Sequence, residues 1–453
     1  MALPPGPRSP ALFQTISLMR SGQAFIERAA ARYGDLFTVR TLVFGTQVLT
    51  SDPQLIKQIF TGDPDQLHAG EANSSAKLFT GERSVLTLDG APHRRARRLL
   101  MPAFHGERMH AYAEAMRAIT ERVVSTWEVD RPFSLLASLQ KITLEVIVAN
   151  VFGLDEGPRR TLFADTLGAM MNRLTSPVGI FFLLPALQRD LGPLYPWRKL
   201  KAQFDAYEAL VFEEIAARRA LRARPGAGPG EDILSLMVDT RDEDGQPMPD
   251  REIRDQLVTL LAGGQETTSS SLTWAFERIL AHPAVHEKLV AEIDGAIAEG
   301  KTTAADLTRL EYLDATLKEV LRQRPSVPML GRVLKRPMVL RDHEIPAGVM
   351  VTPSIHLTHR RPDLYPEPEA FRPERFLGAK TDPYAYFPFG GGPRRCIGAA
   401  FALQEMKVVL GTVLQRQRLR LVKPPPLRAS PRSIFLAPEG GAEVVLMGQR
   451  PGG

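Results

Sequence analysis

The stretch Phe389-Gly-Gly-Gly-Pro-Arg-Arg-Cys396-Ile-Gly398 decides the fold, and an amphipathic segment follows it. Its cysteine is the single cysteine of the 453-residue chain, which therefore forms no internal disulfide and is expected in the reducing cytoplasm. The glycines let the backbone approach a flat ligand closely. The two arginines and the start of the next helix favour the thiolate form of Cys396. Because thiolates ligate metals, the stretch predicts a metal ligand more strongly than a buried, inert cysteine.

The composition is that of an ordinary globular protein, with 44% hydrophobic and 24% charged residues. A chain this long can enclose a sizeable cofactor. The formal charge of +6 indicates a solvated basic surface, and no helix-turn-helix, zinc-finger or RNP-like pattern points to nucleic-acid binding. The sequence shows no signal pattern and no run of eighteen apolar residues, so no membrane span is expected. The stretch Val178–Leu187 is too short and contains Pro185, which indicates an apolar loop or helix end.

Hydrophobic periodicity predicts a mainly helical fold with a minor β region and without internal repeats. Length alone allows two to three domains or one large one. A β-hairpin is expected over residues 37–51, with short strands near Val339 and Val349. Residues 222–230 indicate a surface connection, and residues 361–393 are proline-rich and irregular. Helices are expected over residues 23–33, 109–127, 135–151, 160–174, 199–221, 250–281, 284–298 and 313–322, and again after Cys396. The helix over 250–281 would extend ~48 Å, enough to cross a domain.

The cysteine stretch is similar to the haem-binding loop of the cytochrome P-450 superfamily, F-x-x-G-x-R-x-C-x-G, whose fixed positions are matched by Phe389, Gly392, Arg394, Cys396 and Gly398. The resemblance implies a single domain with the cytochrome P-450 fold over residues 1–453. It also implies a long central helix over the haem and Cys396 as the axial ligand of the iron in haem b. Thiolate ligation pushes electron density toward dioxygen and assists O–O cleavage. A haem-thiolate monooxygenase of the soluble bacterial type, without a fused reductase, is therefore expected.

Two opposite charges, Glu319 and Arg322, are three residues apart in the predicted helix LKEVLRQRP. By itself such a pair is usually a weak surface ion pair. In the P-450 superfamily the corresponding pair is buried and joined by a downstream arginine, and Arg375 of Pro373-Glu-Arg-Phe376 occupies that place. The resemblance implies a structural role, in which the three charges lock the irregular segment before the cysteine.

The segment Ala262-Gly-Gly-Gln-Glu-Thr-Thr268 lies within the predicted long helix, although glycine and threonine are poor helix formers. The glycines alone favour a tolerated weak spot or a close helix crossing. The segment also resembles the acid–alcohol pair that faces the distal side of the haem in P-450 enzymes. On that resemblance Glu266 and Thr267 are catalytic and relay protons toward the distal face, while the glycines leave room for dioxygen.

A basic helix is predicted around His93-Arg-Arg-Ala-Arg97, which places His93 and Arg97 on one helical face. A basic helix is more often a solvated surface than a binding site. The resemblance implies that the haem propionates are held by His93, Arg97, Arg332 and Arg394, because guanidinium groups suit carboxylates. The neighbouring arginines would help to dock an acidic electron donor.

The reaction implied by the resemblance is hydroxylation or epoxidation with O2 of a lipophilic substrate, such as a fatty acid, terpenoid or polyketide-like compound. Electrons would come from a separate ferredoxin or flavodoxin and its NAD(P)H-dependent reductase. Substrate contacts are implied at apolar positions that are otherwise ordinary core residues, namely Leu78, Phe79, Leu86, Leu260, Val327, Leu330 and Phe435. The same fold also hosts isomerases, dehydratases and peroxygenases, and a haem sensor is a further alternative. The Glu266–Thr267 pair argues for the monooxygenase.

Overall fold

The protein is mostly helical, with four small sheets in the part of the chain that is described, as the sequence predicts. The computed structural model describes residues 3–104, 108–176, 192, 196–226, 230, 232–301, 303–432 and 435–450. The predicted apolar loop Val178–Leu187 lies outside these residues.

The described helices include every long helix that the sequence predicts, with ends that differ by at most a few residues except in the first. In chain order they are α1 (Ala11–Tyr33), α2 (Pro53–Thr61), α3 (Ala69–Ala72), α4 (Lys77–Thr80), α5 (Gly90–Leu100), α6 (Arg108–Val124), α7 (Leu135–Phe152), α8 (Pro158–Leu174), α9 (Pro196–Arg222), α10 (Ile233–Asp239), α11 (Asp250–Leu280), α12 (Pro283–Ala298), α13 (Ala304–Leu307), α14 (Glu311–Gln323), α15 (Ile355–Thr358) and α16 (Ala399–Arg416).

The first helix corrects the sequence prediction, which began it at residue 23. The helix begins at Ala11 and is broken by non-helical angles at Ser21 and Gly22. The segment before the break buries polar Gln14 and Thr15 and exposes apolar side chains. Its apolar residues recur at helical spacing, so the pattern that predicts a helix is present, but they face away from the core.

The strands form small sheets around the helical core. They are β1 (Leu36–Thr41), β2 (Gly45–Thr50), β3 (Leu67–His68), β4 (Pro132–Ser134), β5 (Arg332–Leu334), β6 (Met338–Leu340), β7 (His343–Ile345), β8 (Met350–Pro353), β9 (Gln417–Leu421), β10 (Ala429–Arg432), β11 (Phe435–Pro438) and β12 (Glu443–Gln449). The largest sheet has the order β1-β2-β8-β5-β3, and the others are β4-β12-β9, β6-β7 and β10-β11. The antiparallel β1–β2 pair is the predicted hairpin, with Leu36 opposite Thr50.

The long helix α11 forms the centre of the molecule. Its 31 residues correspond to roughly 46 Å at the standard rise, and most of its side chains are buried. It packs against α7, α9, α14, α16 and the hairpin β10–β11. Side chains on α11 can therefore reach the helical core, the helix that follows the cysteine, and the C-terminal hairpin.

One described helix, α7, reaches the length and apolar composition of a membrane span, which the search for apolar runs in the sequence did not find. About two thirds of it (67%) is buried inside the protein. Residues such as Leu139, Ile142 and Val146 are fully buried in the main hydrophobic cluster. This burial is the pattern of a core helix.

Candidate active site

The backbone of the cysteine loop is held in a shape that requires glycine. The amide of Cys396 donates to the carbonyl oxygen of Phe389 at 2.9 Å. A Cβ atom on Gly391 would stand 2.2 Å from the Phe60 ring, and one on Gly392 would stand 2.2 Å from the Phe60 carbonyl oxygen. Gly392 also has a φ of +64°. The loop therefore packs directly on α2, without room for side chains at these two positions.

Cys396 has exposed surface, yet surrounding protein atoms desolvate its thiol and raise its pKa. The backbone amide of Gly398 and the charges of Arg97 and Arg395 lower the pKa, but burial outweighs them. The neighbouring charges therefore favour the thiolate, while burial opposes it because desolvation penalises the charged form.

The middle of α11 contains an opening. Gly263 is exposed, and nothing lies within 4 Å of the position that its Cβ would take. The hydroxyl of Thr267 donates to the Gly263 carbonyl oxygen at 2.6 Å, one turn back along the helix. On another side of the helix, a Cβ on Gly264 would stand 2.2 Å from Cδ1 of Ile147 on α7. The two glycines therefore have different surroundings, one open and one closely packed.

Glu266 does not line this opening, since its side chain has no exposed surface. One carboxylate oxygen accepts from Nε2 of Gln140 at 2.8 Å, and the other accepts from Nε of Arg432 at 2.6 Å. Arg432, at the end of β10, also donates to the Thr175 hydroxyl at 3.0 Å. The sequence reasoning missed Gln140 and Arg432, because neither belongs to a motif and both are distant in the chain.

Four basic residues that the sequence singled out converge around one region. The pKa of His93 is lowered to about 4, by burial and by the charges of Arg394, Arg97 and Arg332. Burial also lowers the pKa of Arg97, and that of Arg332 to about 10. Neither Arg97 nor Arg332 forms an ion pair with a carboxylate of the described residues. Two guanidinium groups therefore lose hydration without gaining an ion pair among the described residues, which is costly for a protein by itself.

Arg394 has a partner of its own. It forms an ion pair with Asp89 and donates to the carbonyl oxygens of Val85 and Leu88. Asp89 in turn accepts from the backbone amides of Gly70 and Glu71, at 2.8 Å each. Arg394 thus braces the segment before α5, and Asp89, which the sequence reasoning missed, compensates its charge. The position of Asp89 just before a predicted helix was the signal in the sequence that could have identified it.

The other arginines of α5 are paired within the chain. Arg95 contacts Glu252 at 2.7 Å and Asp242 at 3.2 Å, and Arg98 forms an ion pair with Glu243. Arg94 lies 3.3 Å from Asp65. These contacts give the arginines partners other than the electron donor that the sequence analysis suggested for them.

The structure brings Glu319, Arg322 and Arg375 together. Arg322 makes a bidentate contact with Glu319, in which its Nε and Nη2 donate to the carboxylate at 2.7 and 2.9 Å. Both side chains are fully buried. Arg375 reaches the same carboxylate at 3.1 Å. Arg322 also donates to the carbonyl oxygens of His359 and Pro368 at 2.7 Å each. The charges thus connect α14 to the irregular segment before the cysteine.

The apolar positions predicted to contact substrate lie in several elements. Leu78 and Phe79 are half-buried on α4, where the Phe79 ring stacks on Phe204 of α9 with centroids 6.5 Å apart. Leu86 is exposed and Leu260 is buried. Three further positions, Val327, Leu330 and Phe435, are also half-buried. Leu330 lies beside the cysteine loop, because its Cδ1 is 3.1 Å from the position that a Cβ on Gly390 would take.

A model of the cytochrome P450 family matches residues 4–445. The chain belongs to the cytochrome P450 family. This P450 is 38% identical over 444 residues to putative cytochrome P450 135B1 of Mycobacterium tuberculosis, covering 98% of this chain and 91% of the relative. It is 37% identical to putative cytochrome P450 138 of the same species, covering 98% and 96%. A solved structure, the retinoic acid-bound cyanobacterial CYP120A1, matches at a TM-score of 0.84 with 27% identity, covering 98% of this chain and 99% of that one.

The family binds haem and catalyses monooxygenation, and the residues of this P450 fit that cofactor. The thiolate of Cys396 can ligate iron. The unpaired guanidiniums of Arg97 and Arg332 are suited to the two propionate carboxylates of a haem. Gly391 and Gly392 keep the cysteine loop free of side chains that would collide with α2.

Proposed function

We propose that this P450 binds haem b and hydroxylates or epoxidises a lipophilic substrate with O2. Electrons come from a separate ferredoxin or flavodoxin and its NAD(P)H-dependent reductase. The observation that carries the proposal is the combination of Cys396, in a loop that packs on α2, with two guanidiniums, Arg97 and Arg332, that are partly or wholly buried without an ion-pair partner among the described residues. Haem b has one iron for the sulfur and two carboxylates for the cations. When bound, it supplies the activation of dioxygen.

The basic residues have different roles in holding the propionates. Arg97 and Arg332 are available to pair with the propionates, because neither forms an ion pair with a described carboxylate. His93 has a pKa of about 4, so at neutral pH it offers a neutral N–H donor. Arg394 contributes mainly by fixing the segment at Asp89.

Glu266 and Thr267 move protons toward the open space at Gly263. The Thr267 hydroxyl, held by the Gly263 carbonyl, keeps lone pairs free to accept a further hydrogen bond. Gln140 bonds to Glu266 and also lines a cleft of about 790 Å³ between α7 and α8. Gln140 therefore connects the Glu266 carboxylate to this cleft, which offers an entry for protons from solvent.

The lipophilic substrate class is supported by the apolar character of the predicted contact positions, among them Leu260 and Phe435. The relative with a TM-score of 0.84 is described as bound to retinoic acid, an apolar terpenoid chain with one carboxylate. Retinoids and fatty acids of similar length are therefore the first compounds to test.

The test uses holoenzyme, with spectral titration against retinoids, fatty acids and polyketide-like compounds, followed by product analysis with a surrogate reductase system. We expect at least one compound to displace the water on the iron and to yield an oxygenated product that depends on both O2 and reductant. Cys396→Ala should abolish the red-shifted band of the reduced carbonyl adduct. A wild-type protein that retains no haem, or whose adduct lacks that band, would contradict the proposal.

The proton route is tested by Thr267→Ala, with Thr273→Ala as the matched control. Both hydroxyls donate to the carbonyl oxygen four residues back in α11, at 2.6 Å. We expect Thr267→Ala to lower the fraction of electrons that is recovered in product, and the lost electrons to appear as hydrogen peroxide. Thr273→Ala should leave that fraction unchanged. An unchanged fraction in Thr267→Ala would remove the threonine from the route.

A further inference from the structure

The first half of α1 has its apolar and polar sides reversed relative to an ordinary surface helix. Gln14 is fully buried and Thr15 is 9% exposed. Leu12, Phe13 and Ile16, which surround them in the sequence, are 51%, 60% and 39% exposed. A surface helix normally turns its apolar side to the core and its polar side to water.

Specific hydrogen bonds hold the helix in this orientation. Nε2 of Gln14 donates to the carbonyl oxygens of Pro7 and Ser9, at 3.1 and 2.7 Å. In the other direction, the amide of Arg40 donates to the Gln14 side-chain oxygen at 3.0 Å, and the amide of Leu42 donates to the Thr15 hydroxyl at 2.9 Å. The buried polar side chains therefore attach the helix to β1, and the apolar side has to face outward.

The turn between β1 and β2 extends the apolar surface. Its residues Leu42, Val43 and Phe44 are apolar where turns usually carry polar residues, and Leu42 is 56% exposed. Of the thirteen large hydrophobic side chains exposed among the described residues, five lie in this short part of the chain. We call these five the apolar face: Leu12, Phe13, Ile16, Met19 and Leu42. Contiguous exposed apolar surface marks an interaction site.

The surroundings of the apolar face are basic. Arg8, Arg20 and Arg40 are exposed, and none of them forms an ion pair with a described carboxylate. The sequence has no Asp or Glu among residues 1–26 or 36–50. The flanking Asp35 is neutralised by Arg341, at 2.7 Å. The chain thus presents apolar side chains inside a rim of unpaired positive charge.

We propose that the apolar face docks on a membrane surface rich in anionic phospholipid. Apolar side chains enter the boundary between headgroups and acyl chains, and the arginines contact phosphate groups. The segment before the break at Ser21 is far too short to span a bilayer, so it lies in the interface. A second copy of the chain is a poorer occupant, since a symmetric contact would bring the same unpaired arginines together. The docking does not depend on the catalysed reaction.

The test is co-sedimentation of the holoenzyme with vesicles of phosphatidylcholine alone or mixed with phosphatidylglycerol. With each arginine contributing about fivefold to partitioning, we expect anionic vesicles to bind on the order of 100-fold more tightly than neutral ones. Phe13→Ser with Ile16→Ser should abolish binding to both. Arg8→Gln, Arg20→Gln and Arg40→Gln together should remove the preference for anionic lipid.

The matched control is Leu162→Ser with Val422→Ser, which removes two exposed apolar side chains elsewhere, at 49% and 38% exposure, and should leave binding unchanged. Retention of haem by every variant shows that the fold persists. The proposal is overturned if the wild-type protein binds neither vesicle, or if the Phe13 and Ile16 changes leave binding intact. It is also overturned if those changes convert a dimer to a monomer in gel filtration, because the apolar face is then a contact between copies.

Discussion

At the scale of single residues, Glu319 is the buried carboxylate on which two arginines and one backbone amide converge. Arg322, Arg375 and the amide of Arg372 all donate to it. Glu319→Gln leaves the fully buried Arg322 without its counter-charge. We expect the free energy of unfolding to fall by about 3–5 kcal/mol, measured by urea unfolding.

The control for that change is Lys318→Ala, one residue earlier. Lys318 pairs with Asp314 at 2.7 Å, but both side chains are about one-third exposed. A partly solvated pair of this kind is worth at most about 1 kcal/mol. Equal losses of unfolding free energy in Glu319→Gln and Lys318→Ala would show that the buried cluster of Glu319, Arg322 and Arg375 has no special role.

Arg432 is the second residue whose removal would leave a buried charge. Glu266 has no exposed surface, whereas Arg432 is 26% exposed. We expect Arg432→Gln to lower the free energy of unfolding by roughly 1–3 kcal/mol, and the added change Glu266→Gln to restore part of that loss. Arg428→Gln, an exposed arginine just before the same strand, is the control. Additive effects of the two changes would mean that the pair is not coupled.

At the scale of elements, the two adjacent glycines of α11 predict opposite responses to the same substitution. Gly263→Ala points into open space and gains helix propensity, so stability should rise by about 0.5–1 kcal/mol. Gly264→Ala drives its methyl against Cδ1 of Ile147 and should cost about 1 kcal/mol or more. Ile147→Val removes that carbon and should relieve the cost. Urea unfolding of the single and double variants measures each effect.

Helices that bury an apolar stripe were predictable from the sequence, and α7, α11 and α16 are close to their predicted bounds. The first half of α1 was missed although its apolar residues recur at helical spacing, and the sequence does not reveal that this apolar side faces outward. Motif residues that are close in the chain, such as Glu319 and Arg322, were found. Gln140 and Arg432 were not, since their contact with Glu266 exists only once distant elements pack.

At the scale of the whole molecule, acid should weaken the fold through two buried histidines beside α15. Burial lowers the pKa of His356 to about 4 and that of His359 to about 3. Nε2 of His359 accepts from the Phe387 amide at 3.0 Å, which requires a neutral ring. The unfolded rings titrate near ~6.5. The contribution of the neutral rings to the free energy of unfolding is therefore complete above that pH. It falls with pH by about 1.4 kcal/mol per pH unit for each ring, down to pH ~4.

Urea unfolding between pH 7 and pH 4 measures this slope. His359→Gln keeps a hydrogen-bond acceptor for the Phe387 amide, and glutamine does not titrate. This variant should therefore reduce the slope by the contribution of one histidine. His110→Gln, which changes an exposed histidine, should leave the slope as it is. A wild-type slope of zero would contradict the prediction.

Because the chain has a single cysteine, the protein can report its own cofactor loading. A thiol-reactive dye should label one equivalent in each empty molecule and none where iron already holds Cys396. Because burial raises the pKa of the thiol, labelling should be slow at neutral pH and faster in mild alkali. The labelled fraction and the haem-bearing fraction should then add to one across any preparation. Dye uptake by fully loaded protein would mean that the sulfur is not bound to the metal.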